Sequence, residues 1–181
     1  MKKTYHGSTF YIEQETRKEY TFEMAHRAPG VRLILPDGKK NILLNKEYRK
    51  ELNAWDYRLP GGKVFDSLDE YLACDKKLIK NKAKQAGIKE AREEQGIEVE
   101  DLDLFDLLHC GATVEWDLYY FVVKKYKKKS IGQSLEADEQ IKISSISFTN
   151  AMKLCLEGKI HEGRSASILM RYLNLQKKLL S

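Results

Sequence analysis

Apolar and polar residues follow strand-like patterns along the first third of the chain. Residues 20–28 alternate well enough to predict one strand, and residues 31–35 form a short apolar run with an arginine inside it. An Asp-Gly pair at 37–38 then gives a tight-turn signal before the apolar pattern resumes at 42–44. Two apolar segments joined by such a turn predict a β-hairpin.

The middle of the chain changes from a loop-like to a helix-like composition. Residues 53–62 predict a loop that ends in a Pro-Gly-Gly sequence. From about 68 to 95 the chain is rich in Ala, Lys, Glu and Leu, and Gly96 stands where the C-terminal glycine of a helix belongs. Gly87 lies inside this stretch, so the pattern does not require one continuous helix.

Strands and helices are both predicted in the C-terminal half. Segments rich in aromatic and branched residues predict strands, one of them with a slip in phase that a β-bulge would explain. These segments are residues 104–108, 116–123 and 140–148. Thr149 or Asn150 is placed to cap a helix that ends at Gly158, and an apolar stripe predicts a further helix at 165–180. Mixed strands with a long central helix and C-terminal helices imply an α+β protein, built as an α/β/α sandwich.

Composition restricts the class of protein. The 181 residues suffice for one domain, or one domain with a terminal arm, and 42% hydrophobic with 33% charged residues allow a core without general disorder. The three cysteines form no CxxC or CxxxC pair, so a disulfide framework and a zinc site are poorly supported. The sequence shows neither a signal-peptide core nor an apolar stretch of about 18 residues, so we expect a cytoplasmic protein.

The net charge of +5 includes a basic run at residues 124–129, which follows an apolar segment. We interpret this run as the solvated end of a hairpin. Nucleic-acid binding is the alternative, but the sequence has no second basic stripe with interleaved aromatic residues. We therefore expect neither a nucleic-acid nor a membrane partner.

A group of glutamates near the end of the predicted central helix carries the candidate chemistry. Glu90, Glu93 and Glu94 are spaced i, i+3 and i+4, so they share one helical face. Their like charges repel by roughly 0.2–0.5 kcal/mol per exposed pair, and a cation between them would reverse this effect. Mg²⁺ prefers oxygen ligands and usually takes only one or two carboxylates, with waters and phosphates. A solvated acidic helix end is the alternative interpretation.

The glutamates and an upstream glycine pair together resemble a family motif. Residues 89–97 read Lys-Glu-Ala-Arg-Glu-Glu-Gln-Gly-Ile, and Gly61 and Gly62 precede them in the chain. This order resembles the Nudix box, in which a glycine and a glutamate precede Arg-Glu-apolar-x-Glu-Glu-x-Gly-apolar. The resemblance implies the Nudix fold, with a mixed β-sheet between helices, and a hydrolase that cleaves diphosphates.

The chain departs from the box in its middle. Leu68 occupies the position of the first glutamate of the box, which Asp69 or Glu70 could replace. The segment before Lys89 is longer than in the box, and we interpret it as an insertion near residues 68–85. Lys89 itself replaces an arginine, which keeps the charge but loses the forked contact that arginine makes with a carboxylate.

The resemblance extends to the branch that cleaves ADP-ribose and other nucleoside diphosphate sugars. The segments that carry it are residues 42–49, 59–62, 136–141 and 158–161. It implies hydrolysis of ADP-ribose or another ADP-sugar to AMP and a sugar phosphate. Hydrolysis of GDP-mannose or another nucleoside diphosphate sugar is an alternative, and so is a non-catalytic nucleotide-sugar sensor.

The same resemblance assigns metal ligands. Glu90 and Glu94 would bind Mg²⁺, or Mn²⁺, with the Gly61 carbonyl as a third protein ligand. Glu93 would be a further ligand or an orienting partner for Lys89. Bound metal would neutralise the diphosphate and lower the pKa of a water that attacks one phosphorus in line.

A general base is expected outside the helix, on a loop after the strands. Glu139 is the first candidate for this role and Glu136 the second. An exposed loop carboxylate without a catalytic role is the alternative for both residues.

Substrate-binding residues are marked less clearly. Arg27 and Arg49 are candidates to hold phosphates, because a guanidinium can bind two oxygens at once, with a surface or structural role as the alternative. Trp55, Tyr57 and Trp116 are candidates to stack on a base, and packing is the alternative for each.

The family branch also implies a homodimer to which N-terminal strands contribute. Residues 1–19 would form an arm at the dimer interface, and a flexible tail is the alternative. Residues 20–181 would then form the hydrolase domain, and its partner molecule would be a small nucleotide.

Overall fold

Strands precede and follow the central helix, and the N-terminal segment contributes strands of its own. The computed structural model describes residues 2–128, 132–137 and 139–179. The strands are β1 (Lys2–His6), β2 (Phe10–Arg17), β3 (Tyr20–Arg27), β4 (Gly30–Pro36), β5 (Asn41–Arg49), β6 (Ala54–Arg58), β7 (Ile97–Leu108), β8 (Val114–Glu115), β9 (Leu118–Lys128) and β10 (Ile141–Ser147). The helices are α1 (Leu68–Ala73), α2 (Ile79–Gln95), α3 (Phe148–Leu156) and α4 (Gly163–Leu179), with a short 3₁₀ helix at Lys76–Leu78. The predicted end of the last helix at residue 180 lies outside the described residues.

The N-terminal strands form a small sheet in the order β1-β2-β3-β8. β1, β2 and β3 are paired as antiparallel hairpins, and β8 pairs in parallel with β3. The boundary predicted between residues 19 and 20 therefore falls inside the β2–β3 hairpin. Several aromatic side chains of these strands are exposed: Tyr5, Phe10, Tyr20 and Phe22.

The larger sheet has the order β10-β5-β4-β9-β7, and β6 pairs with β5. β4 and β9 are parallel neighbours in its middle, whereas β5 and β7 pair with them in the antiparallel sense. Most residues of β4 and the first half of β9 are buried on both faces, as expected of central strands that are covered on two sides.

Helix α2 covers one face of the larger sheet through small residues. Ala83, Gly87 and Ala91 are its buried positions toward the sheet. A Cβ at Gly87 would lie only 3.2 Å from the Val31 side chain and 3.0 Å from that of Leu33. The glycine that interrupts the helical pattern thus lets α2 approach β4 closely, and the helix ends at Gly96, whose φ of 60° is left-handed.

Helices α3 and α4 cover the opposite face of the sheet. The apolar stripe of α4 is buried, with Ile168 and Leu169 fully enclosed, and it packs in one cluster with Ile34 and Tyr120 of the sheet. The predicted α+β class, with a mixed sheet between helices, is confirmed.

Tertiary pairing and capping determine two local features that the sequence pattern did not predict or left open. Residues 53–62 are not a loop throughout, because Ala54–Arg58 pairs with the end of β5 although polar residues break its apolar pattern. The predicted central helix is interrupted between α1 and α2. The Asp75 carboxylate accepts a hydrogen bond from the Lys77 N–H there and starts a new helical segment.

Two further details differ at the C-terminal end of the sheet. Ser147, rather than Thr149 or Asn150, caps α3, because its hydroxyl accepts from the Asn150 N–H. The phase slip predicted as a bulge is not one against β5, since the β10–β5 register is continuous from Ile141 to Ser147.

The basic run at 124–129 lies along β9 as far as Lys128, and residue 129 falls outside the described residues. Lys125 and Lys127 both form ion pairs with Glu100. Part of the positive charge of this run is therefore balanced on the neighbouring chain segment. No described helix combines the length and apolar composition needed to cross a bilayer.

Candidate active site

The double glycine forms a turn that lies against the central strand β4. The Val31 N–H donates to the Gly62 carbonyl at 3.0 Å, and the Leu33 N–H donates to the Pro60 carbonyl at 2.8 Å. Gly61 has a φ of 141°, and a side chain at this position would overlap the Val31 carbonyl oxygen. Glycine is required here because any Cβ would push the turn away from the strand.

The C-terminal end of α2 presents two carboxylates to this turn. Glu94 Oε2 accepts a hydrogen bond from the Gly61 N–H at 2.7 Å. The Glu90 carboxylate lies directly against Gly62, where a Cβ would overlap it. Because the two glutamates are one helical turn apart, both carboxylates meet the double-glycine turn.

Burial makes the ionised form of this carboxylate pair unfavourable. Glu94 is only 5% exposed, and burial together with the Glu90 charge raises its pKa to about 8, although the Gly61 N–H and Asn45 act in the opposite direction. Burial and the charges of Glu93 and Glu139 raise the pKa of Glu90 to about 7. A cation bound at this position would offset both the burial and the mutual repulsion.

The oxygen donors at the turn fit a hard divalent cation. Mg²⁺ is commonly bound by one or two carboxylates, with waters and substrate phosphates completing its coordination. Within residues 2–128, 132–137 and 139–179, no three His, Cys, Asp or Glu side chains are grouped as a metal site. The fit therefore depends on Glu90, Glu94 and a backbone carbonyl of the turn, a set that suits magnesium better than zinc.

Two of the other predicted acidic residues interact electrostatically with Glu90. The charges of Glu93 and Glu139 both help to raise its pKa. Glu93 Oε2 is 3.8 Å from Lys89 Nζ. The exposed Glu136 donates its backbone N–H to the carboxylate of the half-buried Glu139 at 3.0 Å. Of the two loop glutamates, Glu139 is the one whose charge acts on Glu90.

Arg27 stacks on Trp116, whose ring lies near Gly30 at the start of β4. Its guanidinium carbon is 4.4 Å from the centre of the Trp116 ring, and Arg164 approaches the same ring at 4.4 Å. A Cβ at Gly30 would lie 3.8 Å from Trp116 Nε1 and 3.2 Å from the Gly62 carbonyl oxygen. The two guanidiniums both approach the ring, which leaves Trp116 poorly placed to stack on a base.

The remaining predicted substrate residues lie further along β5 and β6. Arg49 is held in ion pairs by Glu47 at 2.7 Å and Glu51 at 2.5 Å. Trp55 is 37% exposed, whereas Tyr57 packs against the apolar cluster under α3 and α4. Arg49 makes no hydrogen bond or ion pair with the α2 glutamates in the described part of the chain.

Two polar residues that the sequence analysis does not select lie close to the carboxylate pair. Arg32 of β4 is 8% exposed, and its charge acts on Glu94. Asn45 of β5 is 1% exposed, interacts with Glu94 and accepts a hydrogen bond from the Gln95 side chain. The sequence signal for both is a polar residue next to or inside the apolar part of a strand.

The chain is similar to known proteins in sequence and in fold. No protein-family model matches the chain. A GDP-mannose pyrophosphatase of Enterobacter sp. (strain 638) is 28% identical over 159 residues, which cover 84% of this chain and 77% of the relative. A methanol dehydrogenase activator of Bacillus methanolicus is 24% identical over 155 residues, covering 84% of this chain and 76% of the relative.

Among solved structures, an ADP compounds hydrolase matches with a TM-score of 0.67 and 16% identity, covering 97% of this chain and 89% of that chain. This likeness shows a shared fold. The resemblance to Nudix hydrolases that the sequence predicts is confirmed at the level of the fold.

Proposed function

We propose that the protein hydrolyses the diphosphate bond of a nucleoside diphosphate joined to a second group, in a reaction that requires Mg²⁺ or Mn²⁺. ADP-ribose or another ADP-sugar is the first candidate, with AMP and a sugar phosphate as products. The observation that carries this proposal is the pair of carboxylates, Glu90 and Glu94, that meets the turn at Gly61 and Gly62.

The protein groups around the turn have distinct roles in this proposal. A divalent cation held by Glu90, Glu94 and the Gly61 carbonyl would supply neutralisation of the diphosphate charge and a more acidic water. The Gly61 N–H holds the Glu94 carboxylate in one orientation. Arg27, fixed by its stacking on Trp116, binds a phosphate oxygen through its guanidinium.

Glu139 receives the proton that the attacking water loses. The water oxygen forms a bond to one phosphorus, the bond from that phosphorus to the bridging oxygen breaks, and the leaving phosphate keeps the electron pair. The N–H of Glu136 holds the Glu139 carboxylate, so the base enters the reaction already oriented. Glu93 acts as an orienting partner of Lys89 or as a further oxygen donor.

Glu139→Gln should lower kcat by about 100-fold, which is the lower end of the range for removing a general base. Glu136→Gln should have a much smaller effect, because Glu136 contributes its backbone N–H, which the substitution keeps. Steady-state kinetics at several pH values measure both. A Glu136→Gln variant that loses more activity than Glu139→Gln would reverse the assignment of the base.

GDP-mannose is the second candidate substrate. The curated relative with 28% identity is a GDP-mannose pyrophosphatase, and its similarity extends over 84% of this chain. Trp55 of β6 stays a predicted contact of the base, and Arg49 of β5 stays a predicted contact of a phosphate. The two candidates share the bond that is cleaved and differ only in the groups on either side of it.

A substrate panel tests the proposal. The protein is incubated with Mg²⁺ and a set of nucleoside diphosphate sugars, dinucleoside diphosphates and nucleoside triphosphates, and the products are identified by mass. AMP with a sugar phosphate supports the first candidate, and GMP with mannose 1-phosphate supports the second. Thermal stabilisation by a nucleotide sugar without turnover of any compound would reject the hydrolase in favour of a sensor.

The homodimer is part of the same proposal. Tyr20 is 71% exposed and Phe22 is 57% exposed on β3 of the small sheet, and exposed aromatic residues on neighbouring positions are candidates for burial in an interface. Light scattering after gel filtration should give twice the mass of the chain, and replacing both residues by serine should lower it. A monomeric parent protein would reject the dimer without affecting the proposed chemistry. The cytoplasmic location stays a prediction of the sequence.

A further inference from the structure

Arg32 is a buried arginine that forms no ion pair within the described part of the chain. It is 8% exposed and lies in β4 among Val31, Leu33 and Ile34, which are completely buried. Its guanidinium donates a hydrogen bond from Nη1 to the Val31 carbonyl at 2.8 Å. Among the residues that the structure describes, no carboxylate lies within 4.0 Å of it.

Two other arginines with little exposure, Arg58 and Arg164, are paired. Arg58 lies 3.4 Å from Glu47 and 3.3 Å from Asp56, and Arg164 lies 3.3 Å from Glu162. A buried charge without a partner destabilises a fold by several kcal/mol, because it loses its hydration and gains no full compensation. The chain keeps this cation unpaired at a place where a leucine or isoleucine would fit the strand pattern.

Arg32 is connected to the candidate active site by charge and by a shared peptide group. The charges of Arg58, Glu162 and Glu94 all act on its guanidinium. The Val31 carbonyl that accepts its hydrogen bond is also the atom that the backbone of Gly61 closely approaches. The guanidinium and the double-glycine turn therefore contact the same peptide group, and their relative position is fixed by β4.

We propose that Arg32 binds a phosphate oxygen of the diphosphate when substrate occupies the site. This inference rests on the proposed function and extends it. An anion at this place would pair with the guanidinium through two parallel hydrogen bonds, and it would also relieve the repulsion between Arg32 and Arg58. The unfavourable burial of the cation is then offset only in the complex, and this favours binding of a diphosphate, whose two phosphate groups each carry a negative charge.

A purely structural role makes a different prediction for stability. If Arg32 served to balance the charges of Glu94 and Glu162, removing it would destabilise the ligand-free protein. If Arg32 instead pairs with a phosphate of the substrate, replacing Arg32 should leave the ligand-free protein equally stable or more stable, because an unpaired buried charge is removed. Activity and stability would then change in opposite directions.

The test compares Arg32→Gln and Arg32→Lys with Arg171→Gln as a matched control. Arg171 of α4 forms an ion pair with Asp106 of β7, and the proposed function gives it no role. Each protein is assayed for kcat and KM with the best substrate of the panel, for calorimetric binding of inorganic pyrophosphate with Mg²⁺, and for its thermal midpoint without ligand.

Arg32→Gln should weaken pyrophosphate binding and lower kcat/KM by roughly 10- to 100-fold, the effect of losing charge-assisted hydrogen bonds, without lowering the ligand-free midpoint. Arg32→Lys should keep the fold and recover part of the affinity, since it restores the charge but not the fork. If Arg32→Gln does not fold, the inference is tested with Arg32→Lys alone. An affinity of Arg32→Lys for pyrophosphate equal to that of the parent protein would overturn the inference.

Other outcomes also separate the possibilities. Normal pyrophosphate binding in Arg32→Gln with a lowered midpoint would identify a structural counter-charge and overturn the inference, while leaving the proposed function intact. A parent protein that neither hydrolyses the panel nor binds pyrophosphate would reject the proposed function, and this inference with it.

Discussion

Glu94→Gln is expected to lower kcat by on the order of 1,000-fold while the protein stays folded. Glutamine has nearly the same shape and keeps an oxygen that can accept the Gly61 N–H at 2.7 Å. It removes only the negative charge that the proposed cation requires. Kinetics over a range of Mg²⁺ concentrations measure the loss, and Glu157→Gln, in the exposed pair with Lys153, is the matched control that should keep the parent rate.

The same substitution should change how stability depends on pH. In the presence of a chelator, the pKa of Glu94 is 4.5 in the unfolded chain and about 8 in the folded protein. The stability gained from this raised pKa is complete below the lower value and is lost as the pH rises through the higher one, because the unfolded state binds fewer protons between them.

The thermal midpoint of the parent protein without metal should therefore fall between about pH 5 and pH 8, since each pKa unit is worth about 1.4 kcal/mol. In Glu94→Gln the thermal midpoint should fall less over this pH range than in the parent protein. Addition of Mg²⁺ to the parent protein should also make the fall smaller. Parallel pH profiles for the two proteins would contradict the burial of an ionisable pair at the turn.

Gly61→Ala and Gly62→Ala should separate folding from activity at neighbouring positions. A Cβ at Gly61 would overlap the Val31 carbonyl, part of a rigid strand, on a backbone with a φ of 141°. We expect a loss of about 3 kcal/mol or more in the free energy of unfolding. A Cβ at Gly62 meets the flexible end of Glu90 instead, so the protein should fold while its carboxylate is displaced and activity falls.

Chemical denaturation and kinetics of both variants check this contrast. Gly163→Ala is the control, because a Cβ there meets nothing within 4 Å. If Gly62→Ala retained the parent rate, Glu90 could not depend on its place against the turn. If Gly61→Ala were as stable as the parent, the contact between the turn and β4 would be looser than the structure indicates.

The fold could be predicted from the sequence where the local pattern of apolar, turn and capping residues agrees with the tertiary packing. The hairpin around the Asp-Gly turn, the helix that ends at Gly96 and the apolar stripe of α4 each carry a complete local signal. β6 could not be predicted in this way, because its pairing with β5 compensates for the polar residues that interrupt it. The break at Asp75 was hidden since the composition stays helical on both sides of a side-chain cap.

Some residues of the candidate site could be predicted from the sequence, and others could not. Glu90 and Glu94 could be selected because helical spacing and the glycine pair are both visible in the sequence. Arg32 and Asn45 could not, because their importance arises from which strands lie beside the turn. A lone arginine in an apolar run marks an anomaly, and only the arrangement of β4 against the double glycine gives it a position near the carboxylates.

The parallel pairing of β4 with β9 has a consequence for biosynthesis. Residue 30 pairs with residue 118, and residue 34 with residue 122, so the strand that supports the turn lacks its central neighbour until the chain has grown well past α2. A nascent chain that has emerged only as far as the glutamates exposes an apolar strand with no partner on that side. The ribosome must therefore synthesise β9 before β4, the strand that supports the double-glycine turn, has both of its neighbours, and a stalled chain that ends earlier would be a target for chaperones.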